Sequence, residues 1–194
     1  MTMIEEFFSM YFDKPAGPVL RPAMTINHPV IRHIYEEYGI CTSRNGFFRV
    51  IDPEKWQESY MPWFRLMRDD DGVYEGPELF PFMTTVFGYP YIFSNLENAT
   101  VAGYIDVTDN FHTLGHASAL FEEVLLDDVS YQYSLYGEVY EDLMPVDPLL
   151  TSEECFGFFP PITMGGEPSA ETVQRVKLRE HLHFLAEISG LPTK

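Results

Sequence analysis

The chain has 194 residues, 45% of them apolar and 15% aromatic, with a formal net charge of −18 at pH 7. That length and composition support a sizeable core without staples and exclude intrinsic disorder as the main state. The surplus of carboxylates argues against nucleic-acid binding and against docking on an anionic membrane face, because both need Lys and Arg.

In chain order, Thr2 and Glu5 form a candidate capping box ahead of the apolar stripe Ile4, Phe7, Phe8 and Tyr11. Pro15, Pro18 and Pro22 break the segment that follows. Pro29 opens a second predicted helix, which Gly39 stops. Asn45-Gly46 is a turn signal before a predicted strand, Phe47–Ile51. Asp52-Pro53 is a cap and first-turn proline for a helix reaching to about Leu66. Asp69 to Gly72 is expected to be a loop. Phe82–Phe87, Tyr91–Phe93 and Thr100–Val107 are rich in β-branched and aromatic residues and predict strands. Ala117–Leu126 and Val129–Leu143 predict helices, and Phe156–Phe159 a last short strand. Ser169 is expected to cap a closing helical region ending at Gly190, with a slip in apolar phase near Leu178. The fold class expected is α+β: a compact, mostly antiparallel sheet packed with helices, with a long C-terminal helical region.

Charge is unevenly placed. Residues 1–68 hold eight basic and eight acidic side chains, whereas residues 69–174 hold 20 Asp or Glu and no Lys or Arg. Arg175, Lys177, Arg179 and Lys194 follow in the tail, against Glu180 and Glu187. Such a field favours a basic protein partner.

Catalytic patterns are sparse. There is no G-x-S-x-G, no phosphate loop and no G-x-G-x-x-G. Cys41 and Cys155 stand 114 apart with no C-x-x-C, consistent with a reduced compartment. Cys155, beside Glu154, is expected to be a buried small hydrophobe. His112 and His116 have the i, i+4 spacing of a helical metal pair, but Thr113 stands where H-E-x-x-H needs glutamate. His181 and His183 would point to different helix faces, and so would the neighbours Glu180 and His181. The pairs Glu122-Glu123, Asp127-Asp128, Glu141-Asp142 and Glu153-Glu154 could hold a divalent cation, but solvated acidic surface accounts for them more simply. The N-terminus is acidic, unlike a signal peptide, and no apolar run approaches a membrane span, so a cytoplasmic protein is expected. On these residues alone the chain is expected to carry no catalytic residue, cofactor or metal.

One stretch carries a more specific signal. Glu154-Cys155-Phe156-Gly157-Phe158, a proline, Met164-Gly165-Gly166, Val173-Gln174-Arg175-Val176-Lys177, Glu180-His181-Leu182 and the Leu185–Gly190 ending resemble the C-terminal domain of Tdi-type immunity proteins of type VI secretion systems. Tyr38-Gly39, the segment Asn45–Glu54, and Phe87-Gly88 are similar to the GAD-like domain that precedes it in such proteins. Where the family usually has alanines and leucines before Gly-Gly, this chain has Pro160, Pro161, Ile162, Thr163 and Met164. The resemblance implies a GAD-like domain over residues 1–112 and a Tdi-type domain over 113–194, packed as one unit. It also implies a non-catalytic protein that silences one secreted toxin, typically a DNase.

A DNase is basic where it holds phosphate, so the acidic stretch is the expected contact region. The candidate toxin-binding residues are Asp69, Asp70, Asp71, Glu75, Glu122, Glu123, Asp127, Asp128, Glu138, Glu141 and Asp142, with Tyr131, Tyr133 and Tyr136 as aromatic anchors. Gly165-Gly166 and Gly46 are expected to make tight turns, and Arg175, Lys177 and Arg179 to pair with nearby carboxylates. Two other classes remain open: an acidic protein-binding module with a different partner, and an enzyme with acidic pairs on a divalent cation and His181 or His112 as base.

Overall fold

A computed structural model describes residues 3–66, 68–69, 72–73, 78–96, 99–108, 111–126, 135–144 and 150–193. Helix α1 (Met3–Tyr11) and helix α2 (Pro29–Glu37) precede strand β1 (Phe48–Val50) and helix α3 (Pro53–Phe64). The entry signals act as their chemistry demands. Pro29 sits in the first turn of α2, where a missing N–H costs nothing, and His28 accepts from the Ile31 N–H. Asp52 accepts from the N–H groups of Glu54 and Lys55 at 3.1 and 3.4 Å, a cap worth about 1 kcal/mol. Thr2, half of the expected capping box, lies outside the described residues.

Strands β2 (Arg68–Asp69) and β3 (Gly72–Val73) form a small antiparallel pair with Asp69 opposite Gly72, so both ends of the expected Asp69–Gly72 loop are strand residues, while 70 and 71 lie outside the described residues. The main sheet then builds from β4 (Leu79–Thr85), β5 (Pro90–Ser94), β6 (Val101–Asp106) and β7 (Phe111–His116). Its order is β1-β4-β5-β6-β7, antiparallel throughout. The three strands expected from β-branched and aromatic runs are present as β4, β5 and β6. Strand β7 is new: its paired histidines suggest a helix, but the segment hydrogen-bonds to β6 from Phe111↔Asp106 to His116↔Val101.

A short helix α4 (Ala117–Ala119) continues as a π-helical turn, Leu120–Leu125. Helix α5 (Gly137–Leu143) covers only the end of the expected Val129–Leu143 helix, and 127–134 lie outside the described residues. Strand β8 (Glu154–Phe158) lies where a last short strand is expected. The closing region differs from expectation in its first half. Val173–Lys177 is a strand, β9, paired antiparallel with β8, and helix α6 begins only at Leu178 and runs to Ile188. The slip in apolar phase near Leu178 marks this junction. The α+β class and the antiparallel sheet stand, with a shorter terminal helix.

The core is aromatic. Phe7 of α1 meets Phe48 of β1 edge-on at 5.2 Å and Phe121 of the π turn at 5.8 Å. Helix α3 lies against β4, with the buried Tyr60 hydroxyl donating to the Gly88 carbonyl at 2.9 Å. The β8–β9 hairpin docks on the turn between β4 and β5. The Phe156 N–H donates to the Val86 carbonyl at 2.8 Å, and Phe158 stacks on Phe87 at 5.1 Å with rings 9° from parallel. Leu178, Leu182, Leu185 and Ala186 of α6 complete the core from the other side of the hairpin.

Candidate functional site

The chemistry-bearing residues of the C-terminal half fall on two sides of the β8–β9 hairpin. On one side, α5 packs through Tyr140, whose ring lies 6.3 Å from Phe156 and whose hydroxyl donates to the Asn45 carbonyl at 2.7 Å. With Tyr140 turned inward, Glu138, Glu141 and Asp142 are left exposed. Their i, i+3, i+4 spacing gathers them on one helix face. Of the acidic candidates, these three are brought together. Asp69 ends β2, and Glu122 and Glu123 sit in the π turn. Asp70, Asp71, Glu75, Asp127, Asp128, Tyr131 and Tyr133 lie outside the described residues.

Tyr136 is described and has a packing role. It is half-buried at the entry of α5 in the left-handed region, φ 59°, with its ring 5.0 Å from Phe158 and 5.8 Å from Phe87.

Other polar motifs are absorbed by the fold. Glu153 pairs with Lys55, and Glu154 with Lys177 at 3.3 Å. Glu154 also accepts from the Thr151 N–H and hydroxyl, which, with Lys177, pulls its carboxyl down to about 2. Burial pushes the Cys155 thiol up to about 12, as suits a small core side chain. His112 and His116 lie on one extended strand, where residues four apart are separated by roughly 13 Å and cannot share an ion. His116 instead caps α4, accepting from the Ser118 N–H at 3.3 Å. Among the described residues, no group of three or more His, Cys, Asp or Glu is placed to hold a metal.

Two residues that sequence reasoning missed or undervalued join the sheet to the C-terminal hairpin. Arg49 of β1 is 5% exposed and has no carboxylate partner among the hydrogen bonds it makes. It donates to the carbonyls of Thr151 (3.1 Å), Glu154 (2.6 Å) and Thr85 (3.3 Å), and burial pulls its pKa down. His181 of α6 is buried, and desolvation lowers its pKa to about 4, so at neutral pH it is an uncharged packing group. His183, two residues on, is exposed and pairs with Glu187. The glycines of the motif serve geometry. Gly165 has φ +85°, and a Cβ at Gly166 would sit 1.8 Å from the Pro160 carbonyl oxygen.

On the other side of the hairpin, α6 stands as a ridge between two recesses. One is a cleft of about 500 Å³ between α3 and α6, with Glu58, Met61, Pro62, Arg65, Arg179 and Glu180 on its walls. The other is an apolar groove of about 420 Å³ lined by Phe159, Val176, Lys177, Glu180, His181 and Phe184. Arg179 lies over the Trp56 ring at 5.5 Å and donates to the Lys55 carbonyl at 3.2 Å, so of the tail cations expected to meet carboxylates it takes a ring and a carbonyl instead. No described helix is long and apolar enough to cross a membrane.

A family model and a solved structure are similar to this chain. No curated protein matches the chain. A solved structure, the crystal structure of Atu4351 from Agrobacterium tumefaciens, superposes with a TM-score of 0.62 over 94% of this chain and 88% of that one, at 13% identity. That likeness is one of fold. The family model described as T6SS immunity protein Tdi1, C-terminal, matches residues 119–189, from the π turn through the whole of α6. The resemblance read in the sequence thus holds for this segment, and residues 119–189 group with the C-terminal domain family of a type VI secretion immunity protein.

Proposed function

We propose that this protein binds and silences a type VI secretion toxin, and that the toxin is a nuclease with a basic DNA-binding surface. The observation that carries the proposal is the overlap of two features over residues 119–174. The segment matching the immunity family spans 119–189, and the arginine- and lysine-free stretch spans 69–174 with 20 carboxylates. A protein that must find a DNA-handling enzyme quickly gains from a field opposite in sign to that enzyme's phosphate-binding face.

On this reading the protein acts by occupancy, without catalysis. Carboxylates on the acidic stretch, with Glu138, Glu141 and Asp142 of α5 as the described cluster, steer the toxin into an encounter in which the protein covers its DNA-binding cleft. A GAD-like part, residues 1–112, serves as the scaffold behind the Tdi-type part, 113–194. The encounter takes place in the cytoplasm, with neither nucleic acid nor membrane as partner.

The test is co-expression with the candidate toxin encoded beside this chain in its genome, followed by purification and a DNA-degradation assay. A stable complex with the nuclease silenced supports the proposal. An active, unbound toxin refutes it for that pair.

A further inference from the structure

We propose that His28 and His116 form an acid-operated latch at the seam between α2 and the β6–β7 end of the sheet. Each caps a helix through an unprotonated Nδ1, and protonation opens both caps together. The latch is a property of this chain alone and does not depend on the toxin.

Shared chemistry is the first ground. His28 precedes α2, and its Nδ1 accepts from the Ile31 N–H at 3.5 Å. His116 precedes α4, and its Nδ1 accepts from the Ser118 N–H at 3.3 Å. An imidazole nitrogen accepts only while it carries no proton, so each cap exists only with that nitrogen bare. Ser or Asn would cap a helix at any pH, whereas histidine makes the cap conditional.

Placement is the second ground. The Thr100 carbonyl accepts from the Ala117 N–H at 2.8 Å and lies close to the His28 ring. Val101 stands opposite His116 in the same ladder. The start of α2, the start of β6 and the joint between β7 and α4 therefore meet at one point. From β5, the Phe93 ring meets His28 edge-on at 6.1 Å. Among the described residues, His116 is the titratable group that faces His28, and no carboxylate offsets a proton there. His28 is fully buried, and its Nε2 has no hydrogen-bond partner. Burial holds its pKa below 6.5, and His116 pushes the same way. The closed seam is thus fully supported above pH 6.5, and its support is lost as the pH falls and the open form takes up the proton. Asn27, one residue earlier, stays pinned to Asn95 by two bonds that do not titrate, at 2.8 and 2.9 Å. Acid therefore frees the first turn of α2 and leaves the chain before it attached.

The experiment is hydrogen exchange of the full chain at pH 7 and pH 5. Times are scaled for the intrinsic rate, and protection is read relative to β4, which removes any global change in stability. In the wild type, residues 30–34 and 117–121 are expected to lose protection ~10-fold, the scale of one proton taken up by an exposed imidazole. His28→Asn keeps a capping acceptor that does not titrate, so protection over 30–34 should hold. His116→Asn, at an exposed position, should hold 117–121 and shrink the loss over 30–34. No loss in the wild type, or an equal loss in the wild type and both variants, overturns the latch. If His28→Asn folds poorly, His116→Asn decides alone, and an undiminished loss over 117–121 overturns the latch.

Discussion

The His181 ring packs against Gly157, so close that a Cβ at residue 157 would meet its Cε1 at 2.5 Å and its two nitrogens at 2.9 and 3.0 Å. The contact fastens α6 to β8, and with it the ridge to the hairpin. Gly157→Ala should therefore force the buried ring or the strand aside. The expected cost is about 1–3 kcal/mol, or roughly 2–4 °C of Tm per kcal/mol for a chain of this size, measured by thermal and urea unfolding. The companion change His181→Ala in the Gly157→Ala background should recover part of the clash.

The same histidine gives the fold a pH dependence. Its pKa falls from 6.5 to about 4 on burial, so the unfolded chain binds the extra proton between these values. Stability from this group is complete above pH 6.5 and is lost as pH falls towards 4, by roughly 3 kcal/mol in full. Glu154, held down to about 2, loses its contribution in a lower window, from about 4.5 downward. Urea midpoints for His181→Gln should accordingly change less between pH 7 and 5 than those of the wild type. Equal slopes would remove His181 as the cause.

Arg49 is the pin between the five-stranded sheet and the C-terminal hairpin. Arg49→Met removes donors from the carbonyls of Thr151, Glu154 and Thr85 at once. The Thr151 carbonyl keeps the Glu154 N–H and the Thr85 carbonyl keeps the Gly88 N–H, so the loss is mainly of second hydrogen bonds to these acceptors, offset in part because a buried cation is also removed, and a net loss of about 1–3 kcal/mol is expected. Arg49→Lys should recover little, since an ammonium cannot reproduce the planar fork. Hydrogen exchange should then report faster amides over residues 151–158 than over β5 and β6.

Electrostatic steering makes a separate claim about rate. Reversing Glu138, Glu141 and Asp142 to Lys on α5 should slow association with the toxin about 10-fold or more at low salt and leave dissociation nearly unchanged. Stopped-flow measurements across ionic strength would separate the two. A change confined to dissociation would mean that α5 is a contact surface and that steering comes from elsewhere.

Much of the fold could be read from local punctuation. Pro29, the Asp52-Pro53 pair and Gly46 act at short range, and helices and turns start where they stand. Strands β4 to β6 could be read because their apolar runs are long. Strand β9 could not: Val173 and Val176 are three apart, which imitates a helical face, and only pairing with β8, far off in sequence, makes the segment extended. His112 and His116 misled in the same way within β7. Arg49 escaped notice because alternation in a strand should leave one face to solvent, yet Phe48, Arg49 and Val50 are all buried between covered faces. For the candidate site, the sign of the field and the family resemblance were legible in the acidic stretch and in the motif of 154–190. The α6 ridge was not legible, since Phe184, Val176 and Phe159 meet only when α6 folds back on the hairpin.

The central claim is that this protein silences a toxin by binding it. It is tested most directly by mixing purified toxin with increasing amounts of this protein and following the degradation of plasmid DNA. The account predicts loss of nuclease activity that saturates with complex formation and recovers at high salt. A toxin that keeps full activity beside an excess of folded protein, at low and high salt alike, would contradict it.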